Sequence, residues 1–268
     1  MIKLENGKLN NWLNLVNARA GLFLNLIFPP RCSFCSRIMD WSAKERALLC
    51  PDCLKQIPFI DRQGCRYCGK SLENETACSC RLCDQKIYYS TAYSACEYEG
   101  IIRKNLLDFK FSGKNELSNI FAWLIIRKLQ MTNEKKFDII INVPMHDISL
   151  RKRGYNQSEL IAKNIARFYS KPLVRNGLIK TKATLTQSKL DKKDRIKNIK
   201  DAFKIGSKSI IKNQRILLVD DILTTGATVN ECSKVLIEGG AKEIIIATIA
   251  TGKIKFEEPS KGEREYGN

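Results

Sequence analysis

The sequence predicts an α/β protein in which a parallel sheet is preceded by a small cysteine-rich module. Two observations support this prediction. Between residues 137 and 250, short apolar runs alternate with segments of helical periodicity, as in proteins built from β-α-β units. Between residues 32 and 83, cysteines recur in pairs and regular apolar periodicity nearly vanishes. We therefore expect two units of different construction in one chain.

The composition is that of a folded protein with a positive surface. The chain has 268 residues, of which 44% are hydrophobic, and this is enough for one large or two modest domains. Lysine and arginine number 46 against 28 acidic residues, which gives a net charge of +18. Such a surface attracts phosphates, nucleic acid or anionic lipid, and charge alone does not choose among them. Disorder of the whole chain is excluded.

The N-terminal region does not resemble a secretory signal, because MIKLENGKLNNW lacks an uninterrupted apolar core. The most apolar stretch, residues 12–28, is interrupted by Asn14, Asn17, Arg19 and Asn25, so we expect no transmembrane segment. The expected location is therefore cytoplasmic. In a reducing compartment, the eleven cysteines favour metal binding over disulfide bonds.

Residues 1–30 form the first predicted unit, an amphipathic helix. Apolar residues recur near helical spacing over residues 12–27, and Pro29 with Pro30 ends the pattern. We expect this helix to pack against its own protein, because apolar stripes usually face a core. A membrane-surface anchor is the alternative.

Residues 31–87 form the second predicted unit, in which cysteines stand in four pairs whose members are separated by two residues. This spacing lets both sulfurs of a pair reach one ion. The predicted ligands are Cys32, Cys35, Cys50, Cys53, Cys65, Cys68, Cys80 and Cys83. Eight thiolates make two tetrahedral sites. An all-sulfur site favours structural Zn2+, with an iron–sulfur cluster as the alternative.

The spacing alone does not determine how the cysteine pairs combine. Consecutive pairs would build two stacked ribbons and alternating pairs a cross-braced module, and we favour consecutive pairs. Cys78 could replace Cys80 as a ligand. Cys96 and Cys232 have no partner at ligand spacing, so we expect them to be small buried apolar residues.

Residues 88–251 form the third predicted unit, in which strand and helix patterns alternate. Strand-like alternation at 88–98 is followed by amphipathic stretches, one to residue 109 and one over 117–129. Three later apolar runs are typical of strands buried on both faces of a parallel sheet: residues 137–143, 215–219 and 243–249.

Two helix ends can be located within this unit. Asn156 with Glu159 three residues later predicts a capping box at the start of a helix. Another helix is predicted over 229–238, ended by Gly239 and Gly240. The polar tail, residues 252–268, is assigned no function.

The most informative segment, ILLVDDILTTGATVNE, runs from a buried strand through a loop into a helix. Its loop residues can direct backbone N–H groups and hydroxyls toward one phosphate at the start of the helix. They are Thr224, Thr225, Gly226, Ala227 and Thr228. Asp220 and Asp221, at the predicted end of the strand, repel a phosphate and suit hydroxyl groups. The predicted ligand therefore carries a phosphate close to a diol, as in a ribose 5-phosphate.

Several segments resemble known families. VDDILTTGAT resembles the ribose-phosphate signature of type I phosphoribosyltransferases. RKRGYNQSEL at residues 151–160, Lys110-Phe111-x-Gly113 and a pattern over 184–203 resemble segments of the competence protein F (ComF) family. The resemblance covers roughly residues 28–251. It implies a type I phosphoribosyltransferase-like parallel sheet with helices on both faces, preceded by a double zinc ribbon.

The resemblance also implies roles for residues outside the loop. The backbone at 144–147 would approach the diphosphate of phosphoribosyl pyrophosphate (PRPP), which binds with Mg2+. Contacts to this diphosphate or to DNA are assigned to Lys110, Arg151, Arg153, Gly154, Gln187 and Arg195. Gln187 and Arg195 belong to a basic stretch, 181–200, which corresponds to a loop that closes over the reaction centre. His146, the only histidine, is interpreted as a hydrogen-bonding loop residue rather than a base, and no catalytic residue is assigned.

Two functions fit these features. Resemblance to ComF implies a role in natural competence: handling of incoming single-stranded DNA in the cytoplasm, where it meets a DNA-uptake helicase or recombination proteins, together with PRPP binding. The alternative is an Mg2+-dependent phosphoribosyltransferase with an unidentified acceptor. The zinc module could then supply the hood that covers the acceptor base in base-specific phosphoribosyltransferases. Binding of single strands needs aromatic residues among positive charges. The candidates are Tyr67, Tyr88, Tyr89, Tyr93, Phe109, Phe111 and Tyr155.

Overall fold

The computed structural model describes residues 29–39, 48–61, 64–71, 86–182, 198–206 and 208–252. Several sequence predictions lie outside these residues. They concern the N-terminal helix, the polar tail, Cys78, Cys80, Cys83, Gln187 and Arg195.

Six strands and seven helices lie within the described residues. The strands are β1 (Thr91–Glu97), β2 (Ile139–Asn142), β3 (Leu178–Lys180), β4 (Phe203–Ile205), β5 (Arg215–Leu223) and β6 (Glu243–Thr251). The helices are α1 (Pro51–Lys55), α2 (Gly100–Phe111), α3 (Leu117–Met131), α4 (Asp147–Arg153), α5 (Gln157–Tyr169), α6 (Lys208–Ile211) and α7 (Ala227–Glu238).

Four parallel strands form the central sheet in the order β1-β6-β5-β2. The two middle strands, β5 and β6, are almost wholly buried. Their runs of branched apolar residues therefore suit a sheet that is covered on both faces. The predicted parallel α/β sheet is confirmed.

The two faces of the sheet are covered by different helices. Leu217 and Val219 of β5 pack with α2, α3 and α5 on one face. Ile216 and Leu218, which point the opposite way as alternate strand residues must, pack with α7 on the other face. Helices therefore lie on both faces, as predicted.

Two features differ from the sequence-based expectation. The strand β5 does not end at the paired carboxylates, because it stays paired with β6 as far as Leu223. Asp220 and Asp221 are thus held in a strand rather than in a loop. In addition, β3 and β4 form an antiparallel pair that the sequence did not indicate, since each strand has only three residues.

The segment that carries the first two cysteine pairs, Cys32 to Cys53, packs on the same face of the sheet as α3. The rings of Phe34 and Phe121 lie 6.1 Å apart between centroids, and Cys32 and Cys53 belong to the same buried cluster. Lys128 of α3 is buried and donates a hydrogen bond to the carbonyl oxygen of Ile60 at 2.5 Å. Burial lowers the pKa of Lys128 to about 8. The cysteine-rich module is therefore attached to the sheet domain by both apolar and polar contacts.

Each helix in the described ranges is either too short or too polar to cross a membrane.

Candidate functional site

Asp220 and Asp221 lie in the second half of β5, toward the carboxyl edge of the sheet. The Oδ1 atom of Asp220 accepts hydrogen bonds from Ser158 Oγ and from the backbone N–H of Asp221, both at 2.9 Å. Burial, followed by the neighbouring charge of Asp221, raises the pKa of Asp220 to about 7. Burial of two adjacent carboxylates costs free energy. A carboxyl group with a strongly raised pKa is typical of a functional site.

Lys110 reaches this carboxylate pair from the end of α2. Its Nζ atom lies 2.7 Å from Asp221 Oδ2, and both side chains are largely buried. The sequence predicts that Lys110 contacts a diphosphate or DNA. In the structure, Lys110 lies on the second carboxylate, where its charge offsets one of the two negative charges.

The loop that follows β5 leads directly into α7. Gly226 precedes α7 with φ of +78°, a left-handed conformation that favours glycine. The backbone N–H of Ala227 is 3.4 Å from Thr225 Oγ1. The helix has twelve residues, and its free N–H groups carry a partial positive charge at this end. An anion is therefore favoured at the loop, a short distance along the chain from the two carboxylates.

Asn142 ends β2, the strand that neighbours β5. It is paired in register with Val219, the residue before Asp220. Its Oδ1 atom is buried and, among the described residues, has no hydrogen-bond partner. A buried acceptor without a partner costs free energy, so a donor on a ligand at this edge would be favoured. Sequence reasoning missed Asn142, although a polar residue closing an isoleucine run is a usable signal.

Ser158 is a second residue that sequence reasoning missed. It is buried in the first turn of α5 and orients the Asp220 carboxylate. The start of α5 is fixed by Asn156, whose Oδ1 accepts from the N–H of Ser158 at 3.0 Å and whose Nδ2 donates to the Val143 carbonyl at 3.0 Å. The predicted cap at Asn156 is therefore present. The predicted partner in that cap, Glu159, forms an ion pair with Arg175 at 3.1 Å.

The other predicted contacts lie on α4, between β2 and α5. Arg151 is exposed, whereas Nη1 of Arg153 donates to Gln157 Oε1 at 2.8 Å. Gly154 ends α4 with φ of +84°, as a turn at this point requires. His146 begins the helix, and its Nδ1 accepts from the N–H of Ile148 at 3.3 Å. This contact agrees with a hydrogen-bonding role for His146 in the loop.

The segment that carries Cys65 and Cys68 packs against the same edge of the sheet. The Tyr89 hydroxyl donates to the carbonyl oxygen of Tyr67, and a side chain built on Gly226 would meet that hydroxyl at 3.5 Å. Thr251 Oγ1 lies 3.1 Å from the carbonyl oxygen of Cys68 and 2.9 Å from that of Leu223. The cysteine module therefore adjoins the loop that carries Gly226 and precedes α7.

The structure brings together four of the predicted metal ligands. The Sγ atoms of Cys32, Cys35, Cys50 and Cys53 all lie within 4.8 Å of one another, as consecutive pairing requires. The Sγ atoms of Cys35 and Cys50 are 3.7 Å apart, close to the separation of about 3.8 Å that Zn–S bonds of about 2.3 Å produce in a tetrahedron. Zn2+ bound here would cross-link the two cysteine pairs.

The thiol of Cys32 in this cluster suits a cation, whereas burial and the neighbouring thiols raise the pKa of Cys53. Burial raises the pKa of Cys32, but hydrogen bonds from backbone N–H groups, among them that of Cys50, outweigh burial and lower it to about 7. Metal binding needs the thiolate. By contrast, burial raises the pKa of Cys96 to about 12, and Cys232 is also buried with a raised pKa. These two cysteines behave as small apolar residues, as expected.

Comparison with known proteins agrees with this two-part architecture. The "Double zinc ribbon domain" family matches residues 23–84, and the "Phosphoribosyl transferase domain" family matches residues 121–267. Competence protein F of Haemophilus influenzae is 31% identical over 207 residues, which are 75% of this chain and 90% of that protein.

Two further relatives cover a similar share. The DNA utilization protein YhgH of Escherichia coli O157:H7 is 26% identical over 80% of this chain and 86% of its own length. Competence protein ComFC of Bacillus subtilis is 25% identical over 76% of this chain and 86% of its own length. The chain therefore belongs to the competence protein F family, and in this chain a double zinc ribbon precedes a phosphoribosyltransferase domain.

Proposed function

We propose that the protein binds PRPP together with Mg2+ at the carboxyl edge of the sheet and handles incoming single-stranded DNA in the cytoplasm during natural competence. One observation carries the PRPP part of the proposal. Two carboxylates, Asp220 and Asp221, precede a loop whose left-handed Gly226 opens α7. Such a segment would offer acceptors for ribose hydroxyls and an anion site close together, which supports the proposal.

Each half of this arrangement suits one part of the ligand. The carboxylates of Asp220 and Asp221 would accept hydrogen bonds from the ribose hydroxyls. The loop of Thr224, Thr225, Gly226, Ala227 and Thr228 would hold the 5-phosphate at the positive end of α7. The unpartnered Oδ1 of Asn142 supports a ligand that brings a hydrogen-bond donor to this edge.

Lys110 carries a positive charge that a diphosphate near the carboxylates would use. Lys110 neutralises Asp221 at 2.7 Å, so an incoming diphosphate would compete for the same ammonium group. Mg2+ bound to PRPP would neutralise diphosphate oxygens. Arg151, Arg153 and Gly154 on and after α4, with Gln187 and Arg195, are proposed to contact the diphosphate or DNA.

The DNA part of the proposal draws on charge and on the relatives. The net charge of +18 favours binding to a polyanion. The relatives are named for competence and for DNA utilization, and that role is proposed here for this chain, with a helicase or recombination protein as a partner. The proposed limits are 31–87 for the zinc ribbon and 88–251 for the sugar-phosphate domain.

Equilibrium binding on the zinc-loaded full chain tests both parts. We expect PRPP to bind only with Mg2+, and Asp221→Asn to weaken its affinity by at least about tenfold, because hydrogen bonds to charged groups contribute about 1.5–3 kcal/mol. Asp61→Asn is the matched control, since it removes an exposed carboxylate that pairs with Arg127. Labelled oligodeoxythymidylate should bind with an affinity that falls steeply as salt rises. Equal PRPP affinity in both variants would refute the site.

A further inference from the structure

Phe111 is the one aromatic among the large apolar side chains that are exposed in the described residues, with 71% of its surface accessible. The other aromatic candidates differ. Phe109, Tyr89 and Tyr93 are buried in the core, and Tyr67, Tyr88 and Tyr155 are half-buried. A single exposed apolar side chain is ordinary at a protein surface, but this ring also has a basic neighbour.

The ring of Phe111 is held in place by a basic neighbour. The guanidinium carbon of Arg153 lies 5.3 Å from the ring centroid, within the range of a cation–π contact. Arg153 is itself fixed, because Nη1 donates to Oε1 of the buried Gln157 at 2.8 Å. The ring and the guanidinium group therefore form a pre-organised pair rather than two mobile side chains.

The end of α2 that carries Phe111 is also anchored. The carbonyl oxygen of Phe109 accepts hydrogen bonds from the Tyr155 hydroxyl and from Gln157 Nε2, the latter at 3.4 Å. The Phe109 ring is fully buried against Phe121 at 5.3 Å. The final turn of α2 thus presents Phe111 from a rigid support.

The pair lies at the rim of the carboxylate site. Lys110, the residue before Phe111, contacts Asp221, and Ser158, the residue after Gln157, contacts Asp220. Successive residues of an α-helix point about 100° apart. Phe111 therefore projects about 100° from Lys110 around the axis of α2, beside the carboxylate pair.

The adjoining surface matches a strand of nucleic acid. The last turn of α4 carries Arg151, Lys152 and Arg153, which suit phosphates. The same helix exposes Ile148 at 65% and contains no buried residue. Positive charge beside an exposed aromatic ring is the combination with which proteins bind unpaired bases.

We propose that Phe111 and Arg153 form a stacking platform for one unpaired nucleobase of single-stranded DNA, whose phosphates follow the basic residues of α4. The platform extends the DNA-handling part of the proposed function and rests on it. It also gives that part a location, at the rim of the sugar-phosphate site.

Fluorescence anisotropy with labelled oligodeoxythymidylate tests the platform on the zinc-loaded full chain. We expect Phe111→Ala to weaken binding on the order of 5- to 100-fold, because stacking of one base contributes about 1–3 kcal/mol. Phe111→Leu should bind the oligonucleotide as weakly as Phe111→Ala, because leucine has no ring on which a base can stack. Phe111→Trp should keep the affinity of the wild type. The control Ile210→Ala removes another exposed apolar side chain, 49% accessible, and should leave binding unchanged.

An oligonucleotide with abasic sites separates stacking from other effects. Wild type and Phe111→Ala should bind it with equal affinity, because there is no base to stack. An equal loss on abasic and normal strands would overturn the platform. If wild type binds DNA and Phe111→Ala binds it equally well, the platform is refuted while the DNA-handling function stands. If wild type binds no DNA, that function itself fails.

Discussion

Replacing Asp220 with asparagine should stabilise the fold and weaken PRPP binding at the same time. The pKa of Asp220 is raised from its ordinary value of 3.8 to about 7, first by burial and then by Asp221. Ionisation at neutral pH therefore opposes folding. The amide of asparagine has the same shape and can still accept the hydrogen bond from Ser158, but it carries no charge.

The magnitude follows from the size of this pKa change. Each pKa unit corresponds to about 1.36 kcal/mol, so the upper limit is on the order of 4 kcal/mol. The pKa already includes the attraction to Lys110, and below this upper limit we expect a net gain on the order of 1–2 kcal/mol above pH 7. For a chain of this size, that is a rise in Tm of about 2–6 °C.

The gain should depend on pH in one direction. A carboxyl group with a raised pKa in the folded state stabilises the fold below its unfolded pKa and loses this stabilisation as pH rises through the folded pKa. The difference in Tm between Asp220→Asn and wild type should therefore be near zero at pH 4, grow between pH 4 and pH 7, and stay constant above. Comparison of the two proteins at each pH cancels the effect of pH on zinc binding.

Thermal unfolding followed by circular dichroism measures the first effect, and PRPP affinity with Mg2+ measures the second. We expect the affinity to fall by about tenfold or more, since hydrogen bonds to a charged group contribute about 1.5–3 kcal/mol. A variant that is less stable than wild type at pH 7.5, or that binds PRPP as tightly, would refute this account of Asp220.

Three further changes test the surroundings of the site. Cys32→Ser should lower the zinc content from about two ions to about one per chain, because structural zinc needs its four ligands. An unchanged zinc content would show that the cluster of Cys32, Cys35, Cys50 and Cys53 is not a zinc site. Cys96→Ala should keep the zinc content and lower stability by about 1 kcal/mol, the cost of a small cavity; loss of zinc would make Cys96 a ligand. Thr251→Val removes the hydroxyl between the carbonyl oxygens of Cys68 and Leu223. The variant should keep its zinc and bind PRPP about threefold to tenfold more weakly, because a hydrogen bond contributes about 0.5–1.5 kcal/mol. If the variant binds PRPP with wild-type affinity, the cysteine module does not support the loop.

The sheet could be predicted from the sequence because its strands are continuous apolar runs. Residues 215–219 and 243–249 lie within β5 and β6, and the predicted helix over 229–238 lies within α7. These patterns are local, since burial on both faces leaves its mark on each strand separately. The antiparallel pair of β3 and β4 left no such mark, because strands of three residues show no periodicity.

The carboxylates and the loop of the candidate site could also be found from the sequence, but their partners could not. Asp221 meets Lys110 across 111 positions of the chain, and Asp220 meets Ser158 across 62. Such contacts depend on how helices dock on the sheet, which no local pattern encodes. For the same reason the packing of the Cys68 segment against Thr251, 183 positions away, became visible only in the folded chain.

The extent of β5 shows the same limit in a single element. The sequence placed the end of the strand at Asp220, because charged residues rarely lie inside a buried strand. In the folded protein the ladder with β6 continues to Leu223, and contacts with Ser158 and Lys110 make the two carboxylates tolerable there.

Calorimetric titration of PRPP into zinc-loaded protein, with and without Mg2+ and then with single-stranded DNA present, tests the central claim most directly. We expect Mg2+-dependent binding of one PRPP per chain, weakened at least about tenfold in Asp221→Asn, and a change in PRPP affinity when DNA is bound beside this site. Absence of PRPP binding by the wild type in the presence of Mg2+ would contradict the claim, and would leave a phosphoribosyltransferase fold that serves another ligand.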